Sequence, residues 1–281
     1  MTNVVDRVGV ITGAGSGIGR ALALDLAGRG TRLALSDVDE AAVTRTASMC
    51  EKRGVEAVAY GLDVGDREAV ATHADEVVDR FGGVHLVFNN AGVALDAPVL
   101  DMEWKDFDWL VRTNFWGVAH GTKAFLPALI ESGGGHLVNI SSVFGLVGVP
   151  GQSAYNASKF AVRGFTEALR QEMKIAGHPV GVTCVHPGGV KTSIVGHARG
   201  MDSRGAPDER DEQFHRIART TPERAAAVIL AGVERNMPRV LIGPDARLFD
   251  AVARVVGPRY QDISASLVRR FGPAVEARTR R

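Results

Sequence analysis

The sequence predicts an α/β protein, a single doubly wound domain on a seven-stranded, mostly parallel sheet with helices on both faces. Two features of the pattern carry that expectation. Short runs rich in β-branched residues alternate with longer segments of helical spacing, which is how strand–helix–strand units read in sequence. The short runs are also apolar nearly throughout rather than at every second position, as strands covered on both faces are. In chain order they occupy residues 8–11, 32–36, 57–60, 84–88, 136–141, 180–186 and 239–242. Between them, residues 20–29, 68–80, 106–130, 154–176 and 222–235 combine helical apolar spacing with charged faces.

Two regions depart from the alternation. Residues 196–222 form a long polar insertion after the sixth strand, and loops of that length in a compact domain usually act as lids. A substrate lid is therefore expected around residues 194–221. No internal repeat or low-complexity linker divides the rest, so one domain is expected over residues 1–243, followed by an extension over 244–281. There Leu248, Val252, Val255 and Val256, then Ile263, Leu267, Val268 and Phe271, lie near helical spacing on either side of the breaker Gly257-Pro258. Two short amphipathic helices are expected, packed on the domain or on a neighbouring subunit and closing an apolar pocket. Eight arginines and four acids in residues 243–281 raise a membrane-surface contact as a rival, which the shortness of the apolar stripes disfavours.

Composition excludes several classes of function. The 33 Lys+Arg and 32 Asp+Glu of the 281 residues leave a formal charge of +1, too little for a general grip on nucleic acid or an anionic membrane. Cys50 and Cys184 stand far apart with no partner at ligand spacing, so neither a disulfide framework nor a metal site is expected. Residues 132–158 lack Asp, Glu, Lys and Arg, yet their glycines, Pro150 and several amide and hydroxyl side chains would not span a bilayer. The first residues carry no secretory pattern, and a cytoplasmic protein is expected.

A nucleotide site is legible after the first strand. Thr12-Gly13-Ala14-Gly15-Ser16-Gly17-Ile18-Gly19 leads directly into a helix-forming run. Glycines at these spacings let the main chain turn tightly and approach a pyrophosphate, whose charge meets free amides at the helix start. Asp37 closes the second strand 18 residues after Gly19, near the separation expected for a carboxylate that receives adenosine ribose hydroxyls. A carboxylate there repels a 2′-phosphate, which favours NAD over NADP. Its alternative role is a helix cap at the start of Asp37-Val38-Asp39-Glu40. Further along, Tyr155 and Lys159 stand one turn apart on a predicted helix and so share a face. An ammonium close to a phenol favours the phenolate, a proton acceptor near neutral pH.

Together these residues carry a resemblance. The glycine loop, Asn89-Asn90-Ala91-Gly92 after the fourth strand, Asn114, Ser142 ending the fifth strand, Tyr155-x-x-x-Lys159, and Pro187-Gly188 after the sixth resemble the short-chain dehydrogenase/reductase family, with its Rossmann-type fold, over residues 4–243. The resemblance implies roles position by position. Tyr155 would be the general acid/base, Lys159 the group that lowers its pKa and holds the nicotinamide ribose, and Ser142 the group that orients the substrate oxygen. Asn114 would fix a water behind the lysine in a proton relay. Besides Gly13, Gly15, Ser16, Gly17, Ile18, Gly19 and Asp37, the implied cofactor contacts are Asp63 and Val64 at the adenine, and Asn90, Ala91 and Gly92 near the adenosine ribose and phosphates. Pro187, Gly188, Val190 and Thr192 would lie on the nicotinamide side. Ser141 is the rival of Ser142, since adjacent strand residues face opposite ways.

The expected activity is hydride transfer between NAD and a secondary alcohol or ketone, with a small to medium, largely apolar substrate. Val93, Leu95, Val143, Phe144, Leu146, Val149 and Ile194 are expected around it, and Arg199, Arg204, Arg210, Arg216 and Arg219 of the lid are the cations that could turn inward. The alternatives are an NADPH-linked carbonyl reductase and a non-catalytic NAD-binding regulator. His186 is read as a packed or hydrogen-bonded structural histidine, and Trp104, Trp109 and Trp116 as core or subunit packing. By resemblance, a homotetramer or dimer is expected through the helices over 106–130 and 154–176.

Overall fold

A computed structural model of the chain describes residues 2–200 and 206–271. Seven strands form one sheet: β1 Val8–Thr12, β2 Arg32–Asp37, β3 Ala57–Gly61, β4 Leu86–Asn89, β5 His136–Ile140, β6 Gly181–Pro187 and β7 Arg239–Ile242. Their order is β3-β2-β1-β4-β5-β6-β7, and every pairing is parallel. The sheet is thus parallel throughout, as apolar strands with two covered faces require.

The helices divide between the faces. On one side α1 Gly17–Ala27, α2 Glu40–Glu51 and α8 Pro222–Glu234 bury Leu22, Leu26, Val43, Ile229 and Leu230 against Ile11, Leu33, Leu35 and Val185. On the other, α3 Arg67–Phe81, α5 Gly117–Glu131 and α6 Ser153–Ile175 bury Val77, Phe81, Phe125, Leu129 and Leu169 against Val10, Val87, Leu137 and Val182. Side chains alternating along each strand feed the two cores separately.

Three elements differ from the sequence expectation. The helix expected over 106–130 is interrupted: α4 Trp104–Val111 passes into a π-type turn, Arg112–Trp116, before α5 begins. Such turns insert a residue into the helical ladder and re-aim the side chains around them, here Asn114. The fourth strand starts later than expected, because Gly82 and Gly83 hold positive φ values of 75° and 147° just before it. The insertion after β6 carries a helix of its own, α7 Pro207–Ile217, beginning on a proline at its first turn. Part of that insertion, including Arg204, lies outside the described residues. Beyond β7, α9 Pro244–Val256 and α10 Tyr260–Phe271 flank a single 3-10 turn at Gly257–Arg259. Ala246, Ala253 and Tyr260 pack on Val143 and Val147, so this extension lies against its own domain. Arg278, Arg280 and Arg281 lie outside the described residues.

Candidate active site

A cleft of about 1780 Å³ opens at the carboxyl ends of the strands, where the strand order reverses between β1 and β4. Its first wall is main chain. Gly13 and Gly17 adopt φ values of 65° and 52°, a region where side chains are strained. A Cβ on Gly19 would overlap the Gly13 carbonyl oxygen, so α1 closes on the loop only because that position is bare. Thr12 Oγ1 accepts the N–H groups of Asn90 and Ala91 at 3.0 Å each, while Asn90 Nδ2 donates to the Thr12 and Gly13 carbonyls at 2.9 and 3.1 Å. The loop after β4 therefore clamps the glycine loop.

Asp37 is half-buried at the end of β2. Its Oδ2 accepts the Gly15 N–H at 2.9 Å and its Oδ1 the Asp39 N–H at 3.0 Å. The cap of α2 is Asp39, whose Oδ1 accepts the Ala42 N–H at 2.9 Å, so the capping role considered for Asp37 belongs to its neighbour. Two cations missed in the sequence line the same end. Arg20 donates to the Gly15 carbonyl and, at 3.2 Å, to Thr46 Oγ1, and Arg45 projects from α2. Neither is near Asp37 along the chain; the packing of α1 beside α2 brings them there. Asp63 and Val64 border this end as well, Asp63 being paired with Arg112 at 2.8 Å.

The centre of the cleft holds the titratable cluster. The first turns of α6 present Tyr155 and Lys159 on one face, beside Ser142 at the exit of β5. Lys159 is 3% exposed, its Nζ stands 5.7 Å from the Tyr155 ring centroid, and it donates to the Ile140 carbonyl at 3.1 Å. Ser142 Oγ accepts the Phe144 N–H at 3.1 Å. Ser141 Oγ donates to the Lys159 carbonyl at 2.8 Å, which commits it to the helix backbone and leaves Ser142 as the serine beside Tyr155. Burial pushes the Tyr155 hydroxyl above its ordinary value, opposed by the hydrogen bond with Ser142. Burial also lowers Lys159 to about 8. Desolvation thus disfavours the charged form of both groups, against the expectation that the ammonium favours the phenolate.

Two predicted site residues do not face the cleft. Asn114, fully buried in the π-type turn, accepts the Val93 N–H at 2.8 Å through Oδ1 and donates to the Val93 carbonyl at 3.0 Å and Ser158 Oγ at 3.3 Å. It fixes the strand-like segment after Gly92 from behind. Gly19 likewise acts by closeness to Gly13 rather than by bordering the open space. The remaining predicted residues, including Gly92, Pro187, Gly188, Val190 and Thr192, border it. His186 is the structural residue expected: fully buried, it donates from Nδ1 to the Ser142 carbonyl at 2.8 Å, and burial lowers it to about 4.

The far end is apolar and comes from scattered segments. Val93, Val143, Phe144, Val149 and Ile194 line it, but Leu95 and Leu146 do not. Leu95 is 2% exposed and packs with Leu110 and Ala154 in the core below. In their place stand Phe107 and Trp109 of α4, Phe214 and Ile217 of α7, and Phe249 of α9. Trp109 thus belongs to the cleft, with the Arg199 guanidinium 3.8 Å from its ring centroid. Of the lid arginines, Arg199 pairs with Asp106 at 2.7 Å, and Arg210, which borders the cleft, donates to the Gly196 and Ala198 carbonyls. Polar side chains border the cleft as well, among them Gln152, whose Nε2 donates to Asp96 Oδ2 at 3.0 Å.

Fold and cluster together define a class, and comparison with known proteins agrees. The chain belongs to the short-chain dehydrogenase family, whose model, described as short chain dehydrogenase, matches residues 7–202. It is an oxidoreductase of the short-chain dehydrogenase/reductase type. Among its relatives, a putative oxidoreductase SadH of Mycobacterium tuberculosis is 51% identical over 273 residues, covering 97% of this chain and 99% of that one. A short-chain dehydrogenase/reductase from Burkholderia phymatum, solved in complex with NAD, is 32% identical with a TM-score of 0.81, covering 95% of this chain and 97% of that one. An alcohol dehydrogenase from the archaeon Thermococcus sibiricus, solved with 5-hydroxy-NADP, is 26% identical with a TM-score of 0.71, over 84% of this chain and 95% of that one.

Proposed function

We propose that the protein passes a hydride between NAD and a secondary alcohol or its ketone, on a small to medium, largely apolar substrate. The observation that carries this is the placement of Ser142, Tyr155 and Lys159 midway along a cleft that runs from a glycine loop to an apolar end. The residues fit the dinucleotide. A main-chain cradle that tolerates no Cβ at Gly13, Gly15 or Gly19 leads to the Asp37 carboxylate, which accepts ribose hydroxyls. When bound, the nicotinamide supplies the hydride acceptor or donor that side chains lack. Tyr155 takes or returns the hydroxyl proton at Oη, and Ser142 Oγ holds the substrate oxygen toward it. Lys159 is assigned to the ribose and to the charged phenol, with Asn114 fixing the segment beside them. Val190 and Thr192 are assigned to the nicotinamide side, and Phe160, exposed on α6, fits a homo-oligomer.

NADP linkage is the second reading, favoured by Arg20 and Arg45 beside Asp37. The Asp37 carboxylate opposes it by repelling a 2′-phosphate, and Arg20 is spent on Gly15 and Thr46. A panel of secondary alcohols with each cofactor, read by nicotinamide absorbance, tests the proposal. Turnover with NAD well above NADP is expected, and Asp37→Ser narrows the gap. A wild-type preference for NADP overturns the cofactor assignment, and no turnover with any alcohol or ketone overturns the activity.

A further inference from the structure

We infer that Asp245, in the first turn of α9, is a positioning residue for the nicotinamide-side loop; the inference rests on the dinucleotide reading above. The loop Pro187-Gly188-Gly189 leaves β6 and borders the cleft, with Val190 and Thr192 beyond it. One side of the loop is anchored by the sheet and lid: Gly188 N–H donates to the Ile242 carbonyl at 2.9 Å, and the Gly189 carbonyl accepts the Thr220 N–H at 3.4 Å. The remaining main-chain donor, Gly189 N–H, goes to Asp245 Oδ2 at 2.6 Å. A hydrogen bond to a charged acceptor at that length is among the stronger kinds, and an orphaned donor here would leave the loop free to rotate.

The fit is close on both sides of the carboxylate. A Cβ on Gly188 would overlap Asp245, and one on Gly243 would meet its other oxygen. Asp245 therefore sits wedged between the strand exits of β6 and β7. It stands outside the residues matched by the family's model, in the extension whose Phe249 borders the apolar end of the same cleft. The carboxylate thus ties the extension to the loop that would receive the nicotinamide, so that cofactor and substrate walls hold one geometry.

Binding tests this without a known substrate. NADH, followed by its fluorescence, is compared with ADP-ribose, which lacks the nicotinamide, followed by calorimetry. For Asp245→Ala we expect NADH affinity to fall roughly tenfold with ADP-ribose affinity unchanged, and Asp245→Asn, which keeps an acceptor, to restore most of the loss. Gly188→Ala forces its methyl against the carboxylate and should weaken NADH binding in the native background but much less beside Asp245→Ala. Parallel loss of both ligands, failure of the asparagine to restore binding, or additive effects in the pair overturns the inference. If the wild-type protein binds neither ligand, the dinucleotide reading itself falls.

Discussion

At the glycine-loop end of the cleft the walls are main chain, held by exclusion: Gly13, Gly15 and Gly19 leave no space for a methyl, and Asn90 closes the loop through two carbonyls. At the far end the walls are side chains from α4, the segment after β5, α7 and α9, held by single hydrogen bonds and apolar contact. At the first end a methyl on any of these glycines meets main chain or a neighbouring side chain at once. The second can change residue by residue while the fold stays, which is how one fold serves many substrates.

The sharpest division lies between the ends. Tyr155→Phe keeps the ring, which meets Phe144 edge-on at 6.1 Å, and removes only the hydroxyl. Turnover should fall by roughly a thousandfold with NADH affinity unchanged, measured by steady-state rates and NADH titration. Unaltered turnover removes Tyr155 from the chemistry. At the first end, Gly19→Ala drives a methyl into the Gly13 carbonyl; overpacking of this kind costs about 1–3 kcal/mol, and NADH affinity should drop about tenfold to a hundredfold. Native affinity in that variant would show that the loop shifts freely and break the contrast.

The same contrast explains what could be read in advance. The glycine loop with Asp37, and Tyr155 with Lys159, are two pairs that local spacing makes legible, whereas the resemblance to the family is what adds Ser142 and joins them into one site. The substrate end depends on contacts far apart in the chain. Leu95 looked like a wall from its place after Gly92, but the segment is pinned by Asn114 and turns Leu95 into the core. Phe249 and Asp245 give no local signal, since only the docking of α9 brings them to the cleft, and Trp109 of α4 reads as packing in the sequence alone. Arg20 is legible no better, because α1 and α2 must pack before it meets Thr46. The lowered Lys159 depends on burial, which helical spacing does not report.

Lys159 supplies a pH-based test of where the first end stops. With its ordinary value lowered by burial to about 8, the ammonium is present below that pH and lost as pH rises through it. If the ammonium holds the nicotinamide ribose, NADH affinity should fall by about fivefold between pH 7 and pH 9, while ADP-ribose affinity stays level. Parallel curves would remove Lys159 from ribose binding and move the boundary of the first end back to Asn90 and Gly92.

The smallest expected effect belongs to the second end. Tyr260 opens α10, packs its ring against the cluster of Val143 and Val147, and accepts the Gly148 N–H at 2.8 Å through its hydroxyl. Tyr260→Phe retains the ring and removes the acceptor. Because Gly148 is exposed, water can take over part of the bond, so the cost should sit near the low end of the usual 0.5–1.5 kcal/mol. The thermal midpoint should fall by only about 1–2 °C. The kinetic consequence is more specific: the loop carrying Phe144 and Val149 loosens over the apolar end, so KM for an apolar alcohol should rise about twofold to threefold with NADH affinity unchanged. Should NADH affinity change and KM stay fixed, Tyr260 would be acting through α9 and Asp245 on the nicotinamide-side loop rather than on the apolar end.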